Sequence, residues 1–232
     1  MKIKNFYIQK GEGEVLILLH GNGEDSSYFA HQIEHFSRYY QVIAVDTRGH
    51  GKSLRGTAPF TIRQFALDLR RFMDEKGIDR ANILGFSDGA NIAMVFTIKY
   101  PNRVKNLILN GGNLNAKGVR SFVQLPIELG YRIARLFSKK SEQAKRNMEL
   151  LGLMVNEPNI PKQYLSKIVA RTLVIAGTKD MIKEEHTKLI ANSIPNAKLV
   201  LIRGDHFIAN KEPERFNTAV MNFLRDDSEL LI

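Results

Sequence analysis

Residues 84–91 read Leu84-Gly85-Phe86-Ser87-Asp88-Gly89-Ala90-Asn91. A serine stands two residues from a glycine on either side, the pattern G-x-S-x-G. The apolar run Ala81–Leu84 ahead of it predicts a strand. The run Ile92–Tyr100 behind it predicts a helix, stopped by Pro101. A turn this sharp needs small residues two before and two after its apex, because larger side chains would collide across it. The serine is then strained, its hydroxyl projects over the sheet, and the helix N-terminus behind it favours negative charge.

Outward from this turn the chain alternates short apolar runs with amphipathic ones. Lys2–Ile8, Val15–Leu19, Val42–Val45, Val104–Leu109, Thr172–Ala176 and Lys198–Ile202 read as further strands. Thr61-x-x-Gln64 is a capping box that opens a helix. Its apolar positions Ile62, Phe65, Leu69, Phe72 and Met73 recur at helical spacing. Helices are also expected from about Lys183 to Ser193 and from Pro213 to Leu224. The alternation predicts an α/β fold with a mostly parallel central sheet flanked by helices. From Asn113 to Lys167 the rhythm breaks into two helix-like stretches, Val119–Phe137, interrupted by Pro126 and Gly130, and Ser141–Val155. The expected division is a core of residues 1–112 and 168–232 with a helical cap of residues 113–167, inserted after about the sixth strand. The tail Arg225–Ile232 is expected to be ordered only in part.

With 232 residues, 44% hydrophobic and 25% charged, the chain suits one large soluble domain. It has no cysteine, which excludes disulfides and thiolate metal sites. The N-terminal residues show no apolar leader, and Val15–Leu19 is far too short to span a bilayer, so a cytoplasmic protein is expected. The net charge of +10 raises the question of nucleic acid or anionic membrane. The segment 113–167 holds ten Lys and Arg against four Glu. The excess thus belongs to one segment, and no nucleic-acid or membrane partner is expected from charge alone. No metal or cofactor is called for, and the expected partner is a small-molecule substrate.

A serine nucleophile needs a base, and the base needs an orienting carboxylate. In this strand–turn–helix setting the chain order is serine, acid, histidine. Two histidines follow Ser87. His206, in Gly204-Asp205-His206-Phe207, comes just after a strand, at a carboxyl end where open parallel sheets bind ligands. His186 falls within a predicted surface helix. Asp180, in Gly177-Thr178-Lys179-Asp180, also follows a strand. Asp205 adjoins His206 and cannot easily reach round to its ring. The expected catalytic set is Ser87, His206 and Asp180. Backbone N–H groups of Asp88 and of Asn22, in His20-Gly21-Asn22-Gly23, are the expected oxyanion donors. His20, His31, His35 and His50 read as structural or surface residues. Gly49-His50-Gly51-Lys52-Ser53 ends like a phosphate-binding loop, but Asp46 stands where that motif needs its first glycine.

These motifs, His20-Gly21-Asn22-Gly23, Asp46-Thr47-Arg48-Gly49-His50-Gly51-Lys52-Ser53, Gly85-Phe86-Ser87-Asp88-Gly89, Gly177-Thr178-Lys179-Asp180 and Gly204-Asp205-His206-Phe207, together resemble the α/β-hydrolase superfamily over nearly the whole chain. The resemblance implies a structural role for the Asp46–Ser53 loop and a specificity-setting role for the cap. Serine at the turn sets the chain apart from the epoxide hydrolase and dehalogenase branches, which use aspartate there. Ser87-Asp88-Gly89 looks like the valacyclovir-hydrolase-like branch, whose members cleave amino-acid esters. There the aspartate after the serine is thought to recognise an amino group.

The expected activity is hydrolysis of a small ester or related acyl substrate through an acyl-enzyme on Ser87. A ligand-binding receptor on the same fold, carbon–carbon bond hydrolysis and acyl transfer are the alternatives. Asp88 either points into a helix cap or salt bridge, or meets a cationic partner. Arg120, Arg132 or Arg135 of the cap offers a way to select an acidic substrate. Oligomeric state is not legible in the sequence.

Overall fold

The computed structural model describes residues 3–225; Lys2 and the tail beyond Arg225 lie outside them. The strands are β1 (Tyr7–Lys10), β2 (Val15–Leu19), β3 (Gln41–Val45), β4 (Ala81–Phe86), β5 (Val104–Asn110), β6 (Arg171–Gly177) and β7 (Ala197–Ile202). They form one sheet in the order β1-β3-β2-β4-β5-β6-β7. Only the pairing of β1 with β3 is antiparallel. The first strand is shorter and later than the expected Lys2–Ile8, because its pairing with β3 runs from Tyr7 to Lys10, where Gly11 turns the chain at φ +81°.

The helices are α1 (Ala30–Phe36), α2 (Ile62–Glu75), α3 (Asp88–Lys99), α4 (Ser121–Phe137), α5 (Glu142–Asn156), α6 (Glu184–Ser193), α7 (Ile208–Lys211) and α8 (Pro213–Arg225). Alternate strand residues point to opposite faces. Ile17, Ile43 and Ile83 pack with Phe65, Leu69, Ala93 and Phe96 of α2 and α3. Leu16, Val42 and Leu84 pack on the other face with Phe36 of α1 and Phe216 and Val220 of α8.

The helical insertion leaves the sheet after β5, the fifth strand rather than about the sixth. Its α4 is unbroken through Pro126 and Gly130. Pro126 removes only the N–H directed at the carbonyl of Phe122, an exposed residue in the first helical turn. The capping box at α2 is half realised. Thr61 Oγ1 accepts from the Gln64 N–H at 3.1 Å, while the Gln64 side chain turns instead to Asp68.

The Asp46–Ser53 loop is a hydrogen-bonded knot. Asp46 accepts from the N–H groups of Ser26 and Lys52, at 2.7 and 2.8 Å. Arg48 meets Asp68 of α2 through two parallel bonds of 2.7 and 2.8 Å, with both side chains buried. No helix among the described residues is long and apolar enough to cross a membrane.

Candidate active site

The parallel register brings the carboxyl ends of β2, β4, β5 and β6 to one edge: Leu19 faces Gly85, Gly85 faces Leu109, and Asn110 faces Ile175. Ser87 follows β4 there. It has φ +53° and ψ −119°, and among the described residues it is the only non-glycine at positive φ. Such a conformation costs on the order of 1–3 kcal/mol and persists only where the surroundings enforce it. They do so here. The Ser87 N–H donates to the Asn110 carbonyl at 2.8 Å. A Cβ on Gly85 would stand 2.3 Å from the Gly89 carbonyl oxygen, and one on Gly89 would stand 2.0 Å from that of Leu19.

Ser87 Oγ lies 3.1 Å from His206 Nε2, and His206 Nδ1 lies 2.7 Å from Asp180 Oδ1. Asp180 Oδ1 also accepts from the Ile182 N–H at 2.8 Å, which fixes the carboxylate plane. The His206 ring packs on Phe86, the residue before the serine, at 4.8 Å between centroids. Gly111, at φ +62°, leaves the ring its room, since a Cβ there would come within 2.8 Å of it. Asp205 turns outward to Lys211.

Asn22, Ser87 and Asp88 line a single pocket with Asn113, Val119, Met154, Glu157, Met181 and Ile182. Its free volume is about 20 Å³, room for about one water. Asp88 is the first residue of α3, so its N–H is one of the donors a helix leaves unsatisfied. Neither that N–H nor the N–H of Asn22 donates to another group among the described residues.

The pocket is acidic. Asp88 Oδ1 accepts from Asn91 Nδ2 at 3.1 Å, while its Oδ2 is buried with no partner among the described residues. Burial pushes the Asp88 carboxyl up to about 6, with Glu157 adding to the rise and the Asn91 bond and His206 opposing it. Burial likewise raises the Glu157 carboxyl, against the N–H of Ile62, which it caps at 2.7 Å. Glu24 accepts from the Gly21 N–H, and burial pushes it up to about 7 against that bond and the charge of His206. Among the described residues, no lysine or arginine lines the pocket.

Arg120, Arg132 and Arg135, expected to select an acidic substrate, stand outside this pocket. Arg120 Nε donates to the backbone carbonyl of Asp180 at 2.8 Å, clamping the loop that carries that residue. Arg132 and Arg135 are exposed on α4. His186 accepts from the Leu114 N–H through Nε2 at 3.0 Å, pinning the start of the insertion. His20 Nε2 accepts from the Thr47 N–H at 3.0 Å, and burial lowers the ring's affinity for a proton. His31 is exposed and His35 half-buried, both on α1. Glu157, Glu24, Asn91 and Asn113 were not picked out by sequence reasoning, and no motif marks them.

Residues 14–148 match the family described as the alpha/beta hydrolase fold. The chain belongs to that family. As an alpha/beta hydrolase it is 30% identical to a 2-hydroxy-6-oxononadienedioate/2-hydroxy-6-oxononatrienedioate hydrolase of Burkholderia vietnamiensis, over 97% of this chain and 92% of that one. It is 28% identical to a 2-hydroxy-6-oxo-6-phenylhexa-2,4-dienoate hydrolase of Comamonas testosteroni, over 94% of this chain and 90% of that protein. Among solved structures, an enol-lactonase of Burkholderia xenovorans shares the fold with a TM-score of 0.81 at 21% identity, covering 96% of each chain. The protein is an enzyme of this hydrolase family.

Proposed function

We propose that this hydrolase cleaves a small ester carrying an amino group close to the scissile carbonyl, through an acyl-enzyme on Ser87. The observation that carries the amino group is the buried Oδ2 of Asp88, which has no partner among the described residues, in a pocket shared with Glu157 and lined by no cation among them. An ammonium there would partner the carboxylate and stabilise its charged form.

In this reading Ser87 Oγ attacks the ester carbonyl while His206 Nε2 takes the hydroxyl proton. Asp180 holds the ring through Nδ1–H and stabilises the imidazolium. The N–H groups of Asn22 and Asp88 receive the oxyanion, each worth about 3 kcal/mol of transition-state stabilisation. The C–O bond to the leaving alcohol then breaks, and the alcohol takes the proton from His206. Water, deprotonated by the same ring, releases the acid from Ser87. Support comes from the 3.1 and 2.7 Å contacts and from the strained serine beside two uncommitted N–H donors.

The test is a matched ester series: amino-acid esters, their N-acetyl forms, and carboxylate-bearing analogues. A kcat/KM highest for the free amine supports the reading, and equal or greater turnover of the carboxylates overturns it. A second reading, carbon–carbon bond hydrolysis, draws on the names of the two relatives above. One is named for a dicarboxylate, which this pocket has no cation to receive. A vinylogous diketone acid hydrolysed faster than every ester would favour that second reading.

A further inference from the structure

Among the described residues, none packs against the outer face of α4. Phe122, Leu125, Leu129, Ile133 and Leu136 recur at helical spacing, and each is between 50% and 76% exposed. The opposite side, with Gln124 and Ala134, is the one that packs inward. The apolar stripe therefore points directly away from the molecule along a helix of 17 residues, about 25 Å in length. Isolated exposed leucines need no explanation, but a continuous stripe of this kind marks an interaction surface.

Its surroundings specify the occupant. Arg132 and Arg135 lie on the same helix, and Lys139 and Lys140 extend the charge past its end. All four are exposed and none forms an ion pair among the described residues. The only acidic residue of α4, Glu128, is half-buried and bonded by Gln124. A second copy docked on this face by twofold symmetry would set the cations of α4 against their own kind, and α4 itself has no exposed carboxylate to meet them. An anionic lipid surface supplies apolar depth and negative charge together. An amphipathic helix with Phe and Leu on one face and Lys or Arg beside them lies in such an interface without crossing the bilayer.

We propose that the outer face of α4 docks this hydrolase on an anionic lipid bilayer, with Phe122, Leu125, Leu129, Ile133 and Leu136 entering the headgroup boundary and Arg132, Lys139 and Lys140 meeting lipid phosphates. Charge alone left a membrane role without support in the sequence. The exposed stripe beside it is the second, independent observation. The proposal does not depend on the reaction the enzyme performs.

The test is co-sedimentation with vesicles of phosphatidylglycerol and phosphatidylcholine in equal parts, against vesicles of phosphatidylcholine alone. Binding to the anionic vesicles is expected, at least about tenfold stronger than to the neutral ones and weakened by salt. Leu129→Asp with Leu136→Asp is expected to abolish it at an unchanged melting temperature. Arg132→Glu with Lys139→Glu is expected to weaken it at least about tenfold. No sedimentation with anionic vesicles, or sedimentation unaffected by either pair of substitutions, overturns the proposal. So does a soluble dimer that Leu129→Asp with Leu136→Asp converts to monomer, which would make the face a contact between copies.

Discussion

The side chain of Asn22 donates to the backbone carbonyl of Leu150 at 2.7 Å, joining the loop after β2 to the second long helix of the insertion. The residue proposed to offer its N–H to the oxyanion thus also holds α5 down over the pocket. Arg55 reinforces the closure through two bonds to Glu149, of 2.8 and 2.6 Å. Asn22→Ala keeps the backbone N–H and removes the latch. We expect faster amide hydrogen exchange in α5 and a kcat/KM raised about fivefold, because losing about 1 kcal/mol of latch enlarges the fraction of molecules whose pocket is open. Unchanged exchange in α5 would show that the latch does not hold the helix.

Ser87→Ala is expected to abolish turnover of a p-nitrophenyl ester and labelling by a fluorophosphonate, at a near-native melting temperature. Asp180→Asn is expected to lower kcat by about 10⁴-fold, by imposing the wrong tautomer on His206. Rapid steady-state turnover in the Ser87 variant would refute the acyl-enzyme reading. A burst without turnover in the wild-type chain would favour a receptor instead.

Asp88 ties pH to stability. Its carboxyl titrates at about 6 in the folded protein against an ordinary 3.8, because burial disfavours the charge. The native state therefore binds the proton more tightly than the unfolded chain. Stability falls as pH rises through that window and stays lowered above it. Asp88→Asn removes this penalty, offset in part by the new buried donor. We expect a gain on the order of 1–2 kcal/mol at pH 7 that vanishes below about pH 4, read by denaturant titration. In the same variant the preference for amino esters should disappear.

Arg48 and Asp68 form a fully buried, two-bonded ion pair behind the Asp46 loop. Asp68→Ala leaves the guanidinium charged with only the Arg55 carbonyl as a described partner. A loss of about 3–5 kcal/mol in unfolding free energy is expected. Arg48→Met together with Asp68→Leu should recover most of it, since replacing both partners leaves no uncompensated charge.

The sequence carries the sheet and the residues at its carboxyl edge because both are local. Glycines two residues either side of Ser87 are demanded by contacts of 2.3 and 2.0 Å, and such demands write themselves into a short motif. Asp180 and His206 are legible because each follows a strand by a few residues. Asn22 and Leu150 are 128 residues apart, and nothing in either neighbourhood announces the other. Glu157 and Glu24 escape notice for the same reason: their shifted affinities come from burial, which only the assembled fold creates. Ile33 and Phe36 of α1, with Phe29 just ahead of it, are apolar at helical spacing, but the seven-residue run is too short to stand out. In α4 the apolar periodicity is plain, yet periodicity does not say whether the stripe faces in or out. The natural assumption buries it, and the fold exposes it.

The pocket beside Ser87 has room for about one water. A substrate of several heavy atoms does not fit that volume, so its binding requires α5, whose Met154 lines the pocket, to lift. Observed affinity is the intrinsic affinity scaled down by that open fraction. The scaling is the same for every substrate that needs the same opening. The strength of the latch thus sets throughput for good and poor substrates alike, and leaves discrimination between them to the walls within.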